Sequence, residues 1–469
     1  MTKHIRVMLA LLLVCLLALT ACSSSSQPTP TAAPTEAPTE APTEAPTEAP
    51  ADATDAPAEA TEAPAEPEAT EEPQATAEPG TEVSASGMKV VGVGGTGTAS
   101  DTKTTLTSAT SNVEVDDNGW AAIASGYDYI MAIQKDGTLC GWGMNDFGQV
   151  GSGTYKDPCV MAVQAVLRDI AAVDAGKKHT AAVGADGTLY LWGRNHNSQL
   201  GDGTHQGRDE PGVAKSLVET GEKIIDIAPG DTLTFALAED GTLYGTGDNG
   251  KGQLGGFDGK EADKPVAVAE NVAKVYTAGE FSIIIKKDGT IWGAGNNKRG
   301  QLGLGDGDDV KSVDVWTEIT TISDVASFAL GEAFTLALKN DGTVWSVGRN
   351  NRGQLGSGSE EKAVYEWTQI AEDCKAVLAG VETGGFVKND GTLWMFGLND
   401  CGQVGNGEKG NVSTPVQVLD DVNMADCGQS HGVALKNDGS IWVWGQNKYY
   451  QLCDGTTVDS PTPKQVITH

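Results

Sequence analysis

The stretch DGTVWSVGRNNRGQLG, Asp341 to Gly356, decides the fold, because the chain writes it seven times. Its copies are DGTLCGWGMNDFGQVG from Asp136, DGTLYLWGRNHNSQLG from Asp186, DGTLYGTGDNGKGQLG from Asp240, DGTIWGAGNNKRGQLG from Asp288, DGTLWMFGLNDCGQVG from Asp390 and DGSIWVWGQNKYYQLC from Asp438. Even spacing of this kind, with a period of about 50 residues, marks an array of like units.

Within each unit, short alternating segments flank the Asp-Gly pair, as in Thr335–Asn340 and Thr343–Ser346. Such a pattern predicts a β-hairpin, here with a type I′ turn. The pairs Asp136-Gly137, Asp186-Gly187, Asp240-Gly241, Asp288-Gly289, Asp341-Gly342, Asp390-Gly391 and Asp438-Gly439 are therefore read as scaffold. A Gly and an Asn follow at fixed places, then Gln149, Gln199, Gln253, Gln301, Gln354, Gln403 or Gln451. A buried Gln repeated this way is expected to bridge backbone groups of neighbouring units. Several short strands per unit without helical periodicity describe propeller blades, so residues 118–469 are read as an all-β, seven-bladed propeller. Thr462–Thr468 is expected to complete the first blade and so close the ring.

Residues 1–82 differ in kind. Lys3, His4 and Arg6 precede an apolar run, Val7–Leu19, with the length of a secretory signal rather than a membrane span. Leu19-Thr20-Ala21-Cys22 resembles a bacterial lipobox; that resemblance makes residues 1–21 a removed signal and Cys22 the lipid anchor. Residues 22–82 are rich in Pro, Thr, Glu and Ala, with fourteen acidic residues and no Lys or Arg. Such a segment has too little apolar surface to fold and reads as an extended stalk. Residues 83–117 read as a partly ordered Gly/Thr/Ser-rich segment, with Val90-Val91-Gly92-Val93 a candidate strand.

The net charge is −32, and beyond residue 82 the chain still carries −20. That excess argues against nucleic-acid binding, which needs cations on phosphates. Cys140, Cys159, Cys374, Cys401, Cys427 and Cys453 show no CxxC spacing, so buried thiols and one or two disulfides both stay open. No metal or cofactor is expected: the His residues lack ligand spacing, and Asp306, Asp308 and Asp309 lack the distal Glu of a calcium loop. No GxSxG elbow or other catalytic constellation stands out.

The repeat resembles that of the regulator of chromosome condensation 1 family, most closely at Gly279–Gly305 and Gly331–Gly358, over roughly residues 118–468. The resemblance implies the propeller and says little about activity. The founding member's nucleotide exchange depends on a wedge inserted in one blade. Even the widest repeat here, from Asp186 to Asp240, leaves no room for one, so exchange is not expected. The chain is also similar to the secreted β-lactamase-inhibitor protein II type of propeller, which implies binding through one face. The candidate binding face is Tyr127, Tyr129, Lys177, His179, Phe281, Phe334 and His431, just after each upstream Gly. A second variable set is Phe147, Asn197, Lys251, Arg299, Arg352, Cys401 and Tyr449. The expected function is non-catalytic: a monomeric propeller, lipid-anchored at a bacterial cell surface, binding an extracellular protein or glycan. Inhibition of an extracellular enzyme and polysaccharide cleavage are the alternatives.

Overall fold

A computed structural model describes residues 90–92, 95–97, 119–154, 159–218, 221–305 and 310–466. Residues 1–82, on which the readings of a signal, the Cys22 anchor and a stalk rest, and residues 306–309 lie outside the described residues. The repeats form seven four-stranded antiparallel sheets. The first is Trp120–Ser125, Tyr129–Gln134, Leu139–Met144 and Cys159–Leu167; the last is Val422–Cys427, His431–Lys436, Ile441–Gly445 and Ser460–Gln465. The first strands of successive blades touch all the way round, the seventh against the first, so they line the axis. One four-residue helix, Lys215–Val218, interrupts the second blade's exit.

Ring closure departs from expectation. Ser460–Gln465 pairs with the seventh blade's own third strand, Gln465 opposite Trp442, and not with the first blade. The four strands of each repeat are thus one uninterrupted piece of sequence. The seam is held instead by Trp120 N–H to the Gly439 carbonyl (3.3 Å) and Gln429 N–H to the Tyr127 carbonyl (2.8 Å). The Trp142 indole N–H adds a bond to the Gln451 carbonyl at 2.9 Å.

The Asp-Gly turns also differ. Only the glycines have positive φ, such as Gly137 at 84°, whereas a type I′ turn needs two such residues. Gly137 N–H bonds the Gln134 carbonyl and Gln134 N–H the Thr138 carbonyl, both at 2.9 Å. This is a three-residue loop closed by a left-handed Gly, with Asp136 Oδ1 accepting Thr138 N–H at 2.8 Å.

The core lies between blades. Trp142, Trp192, Trp444, Tyr129, Phe235, Phe281, Phe328, Phe334, Phe386 and Phe396 are all fully buried. Along the axis, the hairpin Val90–Gly92 with Gly95–Gly97 adds to the sixth blade, Gly95 pairing with Leu378. All six described cysteines are free thiols; Cys140, Cys374 and Cys427 are buried, the others half-buried.

Candidate binding face

One end of each blade carries the Asp-Gly turn and the link to the next blade, joined by bonds such as Cys374 N–H to the Gly342 carbonyl at 2.9 Å. The other end carries two loops. The turn between the first and second strands bonds the end of the third: Arg349 N–H reaches the Ala333 carbonyl at 2.9 Å, with an equivalent bond in all seven blades. The loop after the third strand is built by Asn and Gln. Asn350 Oδ1 accepts Leu355 N–H at 3.2 Å, and Asn145, Asn195, Asn249, Asn297, Asn399 and Asn447 act alike at 2.8 to 3.0 Å.

The Gln side chain points back into its own loop. Gln354 Oε1 accepts Arg352 N–H at 2.8 Å. The same bond fixes Phe147, Asn197, Lys251, Arg299, Cys401 and Tyr449 at 2.8 or 2.9 Å. The bridge between units is made chiefly by the Gln backbone, whose carbonyl accepts Trp192 Nε1–H, Thr234 Oγ1–H or Trp444 Nε1–H from the next blade. Among the described residues, only at the seam does one of these Gln side chains also cross, Gln451 Nε2–H to Asp128 Oδ1 at 3.3 Å. A buried, repeated amide therefore holds the backbone of a residue that changes from blade to blade. That is a display position, and the second variable set occupies it.

The candidate face proposed from the upstream glycines is largely a core feature. Tyr129, His179, Phe281, Phe334 and His431 are 0 or 1% exposed, so they present no surface. They share one register position, each opposite a positive-φ Gly: Tyr129 faces Gly143, His179 faces Gly193, and His431 faces Gly445. A Cβ on Gly143 would lie 2.7 Å from the Asp128 carbonyl oxygen and 2.8 Å from Tyr129 Cα. The Tyr129 hydroxyl donates to the His179 carbonyl at 2.7 Å, His179 Nε2 meets Thr234 Oγ1 at 2.8 Å, and His431 Nε2 meets Ser125 Oγ at 2.9 Å. These bonds join neighbouring blades. Burial lowers His179 to about 3 and His431 to about 4, so both are neutral.

Tyr127, itself only 9% exposed, and the half-buried Lys177 sit on turns at this end of the ring. Lys177 Nζ sits 4.3 Å from the Tyr127 ring centroid and 3.2 Å from Asp231 Oδ2, linking three blades. Burial, with Asp231 adding and Lys177 opposing, pushes the Tyr127 phenol up to about 12. Lys177 N–H bonds the Gly230 carbonyl (3.2 Å) and Glu332 N–H the Val381 carbonyl (3.1 Å), which ties these turns to one another. Beside them, Lys178 lies 4.7 Å and Arg194 5.5 Å from the half-buried Phe147 ring, with His196 edge-on at 5.5 Å. Arg349 bridges Glu332 (3.4 Å) and Glu382 (3.1 Å) on the far side. Among the described residues, no group of three or more His, Cys, Asp or Glu is placed to hold a metal ion.

Comparison with known proteins agrees with this architecture. The model of the RCC1-like domain matches residues 221–469, and that of the regulator of chromosome condensation (RCC1) repeat matches residues 136–183 and 186–237. The E3 ubiquitin-protein ligases HERC2 of Mus musculus and Homo sapiens are each 28% identical over 247 residues, 51% of this chain and 5% of theirs. The chain thus matches about a twentieth of those relatives' length. Human WBSCR16 superposes with a TM-score of 0.63 at 19% identity, covering 72% of this chain and 94% of that one. Prp20p of Saccharomyces cerevisiae gives 0.62 at 22% identity, covering 73% and 86%. With seven repeats, the clamped loops and a family model spanning 221–469, the chain belongs to the RCC1-like domain family.

Proposed function

We propose that this chain is a protein-binding module, held outside a bacterial cell by a lipid on Cys22 and set off from the membrane by the stalk. The observation that carries the reading is the ring of seven display positions, each with its backbone N–H held by a buried Gln. A rigid backbone with exchangeable side chains lowers the ordering cost of binding. A relative of this fold supports it: Prp20p, the yeast RCC1, is described by its binding to Gsp1p and histones and by its complex with Kap60. The module is read as binding without chemistry of its own. The tightest Ser–His contact among the described residues, Ser125 with His431, is buried in the blade seam, out of reach of a substrate.

The test is capture by the immobilised propeller of proteins from the surface fraction of the source cells. Specific capture that Phe147→Ala with Arg352→Glu abolishes, and Lys436→Glu on the opposite end preserves, supports the reading. Capture equally sensitive at both ends sinks it. The anchor is tested separately by fractionating cells that express the full chain: the native protein should sediment with membranes and Cys22→Ser should not.

A further inference from the structure

We infer that the ring opens at one place, the joint between its seventh and first blades, and that the buried Asp426 sets how readily it does so. Every other pair of neighbouring blades is joined by chain, as Leu167 leads into Ile170. The seventh and first are held by non-covalent contacts alone, and two further features mark that joint.

The first is backbone strain. The loop after the third strand packs on the next blade through two left-handed positions. Blade by blade these are Gly148, Ser198, Gly252, Gly300, Gly353 and Gly402, then Gly151, Gly201, Gly255, Gly303, Gly356 and Gly405, all with positive φ. In the seventh blade they are Tyr450 at 62° and Cys453 at 49°. Side chains in this region carry a cost that glycine does not.

The second is a buried acid. Asp426 is 3% exposed on the innermost strand, opposite Val433. The same register position is Ala124, Ala228, Tyr276, Ala329 or Leu378 in five other blades. In the second blade it is Asp174, also buried, where Oδ1 accepts its own neighbour Ala175 N–H at 2.7 Å. Asp426 Oδ2 accepts Ser125 N–H across the joint at 2.8 Å, and Oδ1 accepts Cys427 N–H at 2.8 Å. The ionisable groups around it are Cys427 beside it, His431 on Ser125, and Asp174 of the second blade, itself buried. None supplies a positive charge, since burial keeps His431 neutral. The axial hairpin, Val90–Gly97, contains no ionisable side chain.

His431 Nδ1 is buried without a hydrogen-bond partner, as is His179 Nδ1 in the second blade, so it does not distinguish the joint. Burial pushes Asp426 up to about 7 in the closed ring. Once the joint opens, water hydrates the carboxylate and its affinity for a proton returns to about 4. By this group alone, opening is hardest below about pH 4, grows as pH rises and levels off above about 7. His431, hydrated by the same opening, pulls the other way between its folded value of about 4 and its ordinary 6.5.

Hydrogen exchange of the whole chain, read by mass spectrometry and corrected for intrinsic rates, tests this. The amides to follow are Ser125 and Gln429 at the joint; Lys177 and Glu332 report two other joints. Protection of the first pair should be the lower. In His431→Phe, which leaves Asp426 as the titrating group, it should fall by up to about tenfold per pH unit between 4.5 and 6.5, and in the parent by much less. Adding Asp426→Asn to that variant should flatten the slope; Asp426→Ala, which copies Ala124 and Ala329, serves if the Asn variant does not fold. Tyr450→Gly should raise protection at every pH and leave the slope. Equal protection at all joints, or an unchanged slope in both Asp426 variants, would overturn the inference.

Discussion

Phe334 stands directly opposite Gly348 in the fifth blade, and a Cβ on that glycine would come 2.7 Å from Phe334 Cα and 2.7 Å from the Ala333 carbonyl oxygen. Neither contact is with a flexible chain end, and φ at Gly348 is 111°. Gly348→Ala should cost about 2–4 kcal/mol, read as a lower midpoint in guanidinium unfolding. A midpoint indistinguishable from that of the parent would show that the strand can shift to make room.

The Gln clamp gives a second expectation. Gln354 is fully buried and accepts Arg352 N–H, so Gln354→Ala leaves a donor unpaired and a cavity beside it. The loss should be about 1–3 kcal/mol, with faster exchange at the Arg352 amide. Gln354→Glu keeps an acceptor there and should restore the amide's protection more than the overall stability.

The buried histidines should make the ring acid-sensitive. Their folded values, about 3 and 4, lie below the ordinary 6.5, so the stability each contributes is complete above 6.5 and is lost as pH falls toward those values. His431→Phe places at this register the ring that Phe281 and Phe334 supply in the fourth and fifth blades. Between pH 6.5 and 5 the variant should lose about 2 kcal/mol less than the parent. Asp426 titrates in the opposite sense, so the comparison is between the two proteins and not between two pH values of one.

Thiol reactivity should split three and three. Burial raises Cys140 and Cys374 to about 12 and Cys427 well above its usual range, which leaves almost no thiolate. Cys159, Cys401 and Cys453 are half-buried. Maleimide labelling of the folded chain, mapped by peptide mass, should modify only the second group; all six should react in denaturant. Labelling of Cys427 without denaturant would reveal opening at the blade seam.

The architecture is largely readable from the letters, because each Asp-Gly-Thr turn restarts the same set of strands. The turn type is not, because Asp-Gly also suits a loop in which only the Gly is left-handed. Closure by a shared strand is the wrong reading although the signal is present: Ser460 follows Gln451 much as Cys159 follows Gln149, each starting its own blade's outer strand. The face is hidden for a deeper reason. In a propeller both sides of every sheet are covered by neighbours, so alternation along Phe281–Lys286 or Phe334–Lys339 does not separate inside from outside. Phe147 and Arg352 are legible as variable residues, but their role as display positions needs the Gln bond that only coordinates reveal.

Because the four strands of every repeat are one unbroken run of sequence, no cut between repeats would orphan one of them. The order in which blades are written is therefore free in a way that a shared strand would forbid. A gene beginning at Val272 and ending at Ala269, with the old ends bridged, would encode the same ring with its covalent gap moved between the third and fourth blades. In that permuted chain the Tyr450 and Cys453 loop would sit at a joint spanned by chain, and growth or loss of whole blades would change circumference without changing any blade's wiring.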